Sequence, residues 1–438
     1  MISISTVSHM ALFWSGLALF VCLISATCSV YLYRTVYSPL GLYAAAWGML
    51  VILYLTQGLF GFDFIAVRPW AWFIMIVSVV AFSIGSVIGT GMSATSQKKG
   101  TDPRPDLTHL PERLPLVMYL FVALGIIAIV IKWWILIDMF GSVPQAITNI
   151  GTVRARAVRG EFSYPVVSRI LVLLLFPPLL YATFLCRKNR RYVALVFALL
   201  ALLFFDDLSI AARGHTAFGF SIVAVGYLLT VVIDPDGSVR WSVGKVIAST
   251  ILALLSMNLI FAIRSGFQAG LTEYVLVSFK SVYRYAVGPL PAFSWILPER
   301  SLSGYPGAYT FGGLYRILNH LTSPLLETQL FPRPPKPDAQ IPLGFNTFPH
   351  LWALYSDFGF IGMLVLLCGL GAVSAYTYVR LLTNPTLLTH VATALILVFI
   401  VWTPRDVTTF WVSYWVVLIT GIGIAYFHDS RLLSPEPR

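Results

Sequence analysis

Charge is scarce in this chain. Only 11% of its 438 residues are Asp, Glu, Lys or Arg, where a soluble globular domain carries roughly 25%. That shortage excludes a soluble enzyme: with 58% hydrophobic residues and a mean hydropathy of +0.82, too few polar groups exist to cover a water-facing surface. Cysteine is scarce too. Cys22, Cys28, Cys186 and Cys368 all lie in or at the end of apolar runs with no CxxC pair, which speaks against a disulfide framework and a zinc site. No GxxxxGK[ST], HExxH or GxSxG in a convincing context occurs, so nucleotide hydrolysis, zinc proteolysis and α/β-hydrolase chemistry are unsupported. The chain lacks a basic stretch ahead of its first apolar run, and that run, 11–33, is long enough to span a bilayer; it reads as a retained helix and not a cleaved signal. No tandem repeat and no inverted symmetry between halves is evident. The net charge of +11 does not by itself argue for nucleic acid.

What is present is lipid-length hydrophobicity. Apolar runs of the length a membrane helix needs, roughly 17 to 25 residues, fall at 11–33, 40–61, 70–94, 115–140, 165–186, 192–211, 216–233, 245–263, 358–379, 387–403 and 408–427. The expected fold is an all-α polytopic membrane protein of about eleven spans. Lys and Arg in short loops mark the cytoplasmic side. Lys98, Lys99, Arg104 and Arg113, then Arg187, Lys188, Arg190 and Arg191, then Arg240 and Lys245, fall on one side if eleven spans exist. The N-terminus is then outside and the C-terminus inside. This divides the chain into residues 1–263 with eight spans and an Arg-rich outer loop at 141–164, a large outer segment at 264–357, and residues 358–438 with three spans and an inner tail. The outer segment is too aromatic for a linker (Tyr274, Tyr283, Tyr285, Trp295, Tyr305, Tyr309, Phe311, Tyr315), so short, partly amphipathic helices are expected there.

Arginines on the outer side run against the bias that sets topology, and so carry information. Arg154, Arg156 and Arg159 sit in the 141–164 loop with only Glu161 nearby, and Arg213 lies in the turn Ala-Ala-Arg-Gly-His-Thr. Arg264, Lys280, Arg284, Arg300, Arg316, Arg333, Lys336 and Arg405 follow. A guanidinium is a permanently charged planar fork that matches phosphate oxygens. Outer acids from Glu161 onward (Glu161, Glu273, Glu299, Glu327, Asp338, Asp357, Asp406) are fewer than the bases, so pairing cannot absorb them all. Arg156, Arg159, Arg213 and Arg284 are the candidates for holding a phosphorylated lipid headgroup. The plainer reading, in which each pairs with an acid or touches anionic lipid, applies to any single one.

Ionisable residues inside spans are functional hypotheses by default. Asp206 and Asp207 are expected to pair with Arg213. Lys132 and Asp138, nearly two turns apart, are expected to snorkel or to pair with other helices. The most distinctive stretch, 344–362, contains Asn346, Thr347, His350, Tyr355, Asp357, Gly359 and Gly362 and is expected to re-enter the membrane, its glycines allowing close helix packing. His350 is a candidate general base for a sugar hydroxyl, or else a hydrogen-bonded structural histidine. Asp357 is a candidate base or an orienter of an arginine. No outer acidic cluster for a divalent ion is apparent, so no metal and no cofactor is expected. A metal-free glycosyl transfer must stabilise its diphosphate leaving group with protein cations.

The whole layout, with its Arg-rich loop before the fifth span, Arg213-Gly214, the large outer segment, and Asn346-Thr347 leading to Tyr355-Ser-Asp-Phe-Gly-Phe-Ile-Gly362, resembles the O-antigen or oligosaccharide repeat-unit polymerases, the Wzy-type integral membrane glycosyltransferases. The resemblance covers most of the chain. It implies a GT-C-like membrane-embedded architecture in the bacterial inner membrane, shared with O-antigen ligases and peptidoglycan polymerases, with the active site facing the periplasm. It implies inverting, metal-independent transfer of a growing glycan from undecaprenyl pyrophosphate to the non-reducing end of a fresh repeat unit, in lipopolysaccharide or related polysaccharide biosynthesis. Partners would be lipid-linked glycans, membrane lipids and a chain-length regulator protein, with no nucleic acid. On this resemblance Arg156, Arg159, Arg213 and Arg284 bind pyrophosphate and a polar acceptor site lies around Asn346 and His350; Tyr355 is a further candidate for binding the acceptor, and His350 and Asp357 remain the catalytic candidates that the residues themselves suggest. Ligases typically carry a His-Asn pair before a Gly-x-x-Gly helix; here Leu351 follows His350 and Asn346 precedes it by four. A ligase, and a lipid-linked oligosaccharide flippase or other carrier, stay open as alternatives.

Overall fold

The computed structural model describes residues 9–62, 64–95, 113–186, 189–233, 259–260, 271–297, 305–326, 331, 339–341, 344–408 and 411–433. Among them the chain is helical apart from one short antiparallel pair, Ala339–Gln340 with Gly344–Phe345. In chain order the helices are α1 (His9–Tyr33), α2 (Pro39–Leu55), α3 (Pro69–Thr95), α4 (Leu116–Phe140), α5 (Val143–Thr148), α6 (Ile150–Val158), α7 (Val166–Leu171), α8 (Phe176–Leu185), α9 (Arg191–Ser209) and α10 (Gly214–Ile233). There follow α11 (Leu271–Val287), α12 (Pro289–Ile296), α13 (Gly312–Leu326), α14 (His350–Thr383), α15 (Leu387–Trp402) and α16 (Val412–Leu433).

Among the described residues, eight stretches are long and apolar enough to cross a bilayer: α1, α3, α4, α7 with α8, α9, α10, α14 and α16. The chain is thus a polytopic membrane protein. Two more expected spans are shorter apolar helices, α2 and α15, and nearly all of the run at 245–263 lies outside the described residues. Local chemistry sets several ends. Ser38 caps α2 by accepting from the Gly41 N–H, with Pro39 in the first turn, and Ser142 caps α5 in the same way. Gly141 ends α4 at φ 85°, a conformation glycine takes without penalty.

The chain divides into two compact units. One comprises residues 1–106, 282–385 and 395–415, and the other 107–281, 386–394 and 416–438. In the first, α3 and α14 approach until backbones touch: a side chain added at Gly85 or Gly89 would strike the carbonyls of Cys368 or Ala372, and one at Gly371 that of Phe82. In lipid, where apolar surface gains nothing from leaving water, such close contact is what holds helices together. Interhelical hydroxyl contacts reinforce it, Tyr33 to Thr90 at 2.7 Å and Ser25 to Ser83 at 3.0 Å, and Tyr43 stacks on Phe82. In the second unit Gly125 receives Leu175, Gly219 receives Leu203, and the Tyr181 hydroxyl donates to the Gly421 carbonyl.

Candidate functional site

In the second unit the Arg-rich loop is built as a short platform. α6 turns Ile150 and Val153 inward: Ile150 packs with Leu208 and Ala211, while Val153 packs with Leu136, Ala146 and Tyr164, against which Ile210 also lies. Leu208 lies at the end of α9 and Ile210 and Ala211 in the α9–α10 turn, and the Tyr164 hydroxyl fastens this corner by donating to the Ser209 carbonyl at 2.8 Å. Arg154, Arg156 and Arg159 therefore ride on the turn that leads straight into Arg213. Arg156 is exposed and makes no ion pair among the described residues. Arg159 is engaged by Glu161 through a two-pronged contact, Nε to Oε1 at 2.5 Å and Nη2 to Oε2 at 2.9 Å. That contact holds the Glu161 carboxyl below the usual glutamate range.

Directly beneath lies a buried ionic cluster. Lys132 of α4, 4% exposed, reaches Asp206 of α9, 2% exposed, at 2.5 Å. The other Asp206 oxygen meets His215 Nδ1 at 2.7 Å. Asp207, equally buried, accepts the backbone N–H groups of His215 at 3.2 Å and Thr216 at 2.7 Å, capping the N-terminus of α10. The two aspartates, expected to pair with Arg213, engage a lysine on another helix, a histidine and backbone donors. Lys132 does pair across helices as expected. His215 was not among the residues expected in the site, although it follows Arg213 by two residues and Asp207 by eight.

In the first unit α14 is not one helix. Gly359 adopts φ 69°, ψ −174°, which breaks it. On the leading piece Asp357 accepts the N–H groups of Tyr309, at 3.2 and 3.1 Å, and Thr310 at 2.7 Å. The carboxylate thus orients a backbone loop, where an arginine was one of its expected partners. His350 is 3% exposed, its ring edge-on to Phe399 at 4.7 Å, with its backbone N–H donating to Thr403 at 2.8 Å. Arg284 stacks its guanidinium over Phe345 at 5.7 Å, immediately before exposed Asn346. Tyr355 is half-buried. Around the Asp357-held loop stands an aromatic wall. Tyr315 stacks on Phe331 at 4.5 Å, Tyr305 leans on both, and Tyr309 lies against Trp352. Burial raises the Tyr305 and Tyr315 hydroxyls above the ordinary tyrosine range, and the Asp357 charge adds to it.

The candidate residues thus form two groups, Arg156, Arg159 and Arg213 in one unit and Arg284, Asn346, His350, Tyr355 and Asp357 in the other. No protein-family model, curated protein or solved structure matches the chain.

Proposed function

We propose that the protein is a membrane-embedded glycan polymerase that takes lipid-diphosphate-linked oligosaccharide repeat units at the periplasmic face of the bacterial inner membrane. The observation that supports this reading is the packing of Ile150 and Val153 of the arginine-bearing α6 against the residues of the α9–α10 turn, the turn that precedes Arg213. Guanidinium groups stabilise the negative charge that grows on a departing diphosphate. Within the other unit, Arg284, Asn346, Tyr355 and the aromatic wall, whose ring faces suit the apolar faces of sugars, are the candidates for binding glycan. His350 as general base would require substrate to part it from Phe399.

The reaction breaks the bond between the anomeric carbon of the growing chain and its lipid diphosphate and forms one to a hydroxyl of the incoming repeat unit. The hydroxyl proton passes to a base, and the diphosphate leaves on its lipid. A gel of surface polysaccharide from cells lacking the protein tests the reading. A polymerase deletion leaves lipid A core bearing a single repeat unit. Bare core with polymer accumulating on its lipid carrier would establish a ligase instead. Repeat units retained inside the cell would establish a carrier, the reading favoured by the buried Lys132–Asp206 pair, since intramembrane charges commonly serve transport.

A further inference from the structure

We propose that His215 is a cationic contact for the lipid diphosphate, its imidazolium held in place by Lys132, Asp206 and Asp207 and its Nε2–H offered at the end of the unit where α6 and Arg213 lie. The proposal rests on the reading above and names a ligand-binding residue within that site.

Charge balance supports it first. The charged groups bearing on His215 are Asp206 and Asp207 of α9 and Lys132 of α4; Phe176 meets the ring edge-on at 5.7 Å. With both carboxylates ionised, two carboxylates and one ammonium leave the cluster one negative charge in excess. An uncompensated buried charge is costly, because the interior cannot solvate it as water does. A proton on His215 brings the sum to zero. Geometry supports it second. Nδ1 is committed to Asp206 and the backbone N–H to Asp207, so Nε2 is the donor left for a ligand. The side chain remains 30% exposed while both aspartate side chains are 2% exposed. The histidine is thus the one member of the cluster that faces outward, and its chain neighbour but one is Arg213.

Asp206, Asp207 and His215 also lie close enough to share a metal ion. Lys132 argues against it, because its ammonium already occupies one Asp206 oxygen and would repel a second cation there.

Full-length protein in detergent micelles, titrated with farnesyl diphosphate and farnesyl monophosphate, decides the matter. The wild type is expected to favour the diphosphate, and Arg213→Ala to weaken it. His215→Gln should weaken diphosphate binding about tenfold, the scale of one charge-assisted hydrogen bond, and His215→Lys should restore it to within about threefold by returning a cation. Asp206→Asn should match His215→Gln, with the double variant no weaker than either single one, because both remove the same charge. If Arg213→Ala weakens binding and His215→Gln binds like the wild type, the assignment of His215 is overturned and the functional reading stands. If the wild type binds neither ligand, both are overturned. Tight zinc binding by the wild type that is lost in His215→Gln would replace the diphosphate contact with a metal site.

Discussion

Asp357 accepts from Tyr309 and Thr310, so Asp357→Ala strands two backbone donors. A buried donor left without a partner costs about 1–3 kcal/mol. The variant should therefore melt earlier in detergent, and the 305–311 loop should become sensitive to protease. Asp357→Asn keeps a carbonyl oxygen facing the same donors and should lose about half as much stability while still making long chains. A carboxylate serving as the base would lose long chains in both variants, so the polysaccharide ladder of the Asn variant separates the two roles. The outer arginines differ in the same way. Arg159 already spends its fork on Glu161, whereas Arg156 makes no ion pair among the described residues. Arg156→Ala should weaken farnesyl diphosphate binding about tenfold and Arg159→Ala less than threefold, with binding energy following the uncommitted charge. Glu161→Gln, which frees Arg159, should tighten binding. Because the Glu161 carboxyl is depressed, its pair with Arg159 is fully present above the ordinary glutamate range near 4.3 and is lost only as pH falls through the lowered value. Across roughly pH 6 to 8 the ranking of these variants should not change; a reordering in that window would mean the pair is not what restrains Arg159.

At the scale of elements, hydropathy located most of the helices and could not say how they meet. The expected spans at 11–33, 70–94 and 115–140 lie within a few residues of α1, α3 and α4, because twenty consecutive apolar residues leave the backbone no other way to satisfy its hydrogen bonds in lipid. The start expected at 358 falls one residue from the break at Gly359. Gly359 itself was read as a small packing residue, and the structure shows a conformational one. Its dihedrals lie in a region that is essentially closed to residues with a Cβ, at a cost of about 1–3 kcal/mol. Nothing local distinguishes such a glycine from Gly371, which owes its place to the Phe82 carbonyl across the α3–α14 contact. The two make different predictions. Gly359→Ala should lower the melting temperature modestly and disturb the loop held by Asp357. Gly85→Leu should force α3 from α14 at about 3 kcal/mol or more, with little folded protein recovered from membranes. The Lys132–Asp206 pair was illegible for a related reason: its partners lie 74 residues apart, so no local spacing records it.

For the molecule as a whole, sidedness is the property on which the reading turns. Both the arginine platform of α5 and α6 and the aromatic segment at 305–345 must face the periplasm if a lipid diphosphate and an acceptor sugar are to react. The loop with Lys98, Lys99, Arg104 and Arg113 and the one at 187–191 must face the cytoplasm. Between the two required outer segments lie the runs 165–186, 192–211, 216–233 and 245–263, and the proposed topology needs all four to cross, an even number that would return the chain to the side it left. The last of these decides the matter, since without it the aromatic segment would emerge among the basic loops. Single cysteines at Thr152, Tyr305 and Asn189, placed in a background lacking Cys22, Cys28, Cys186 and Cys368, measure this with a membrane-impermeant thiol reagent. Thr152→Cys and Tyr305→Cys should label in intact spheroplasts and Asn189→Cys only after the membrane is opened. If Tyr305→Cys labels only after opening while Thr152→Cys labels at once, the run at 245–263 does not cross. The proposed polymerase needs both segments on the periplasmic side, so that result would overturn it.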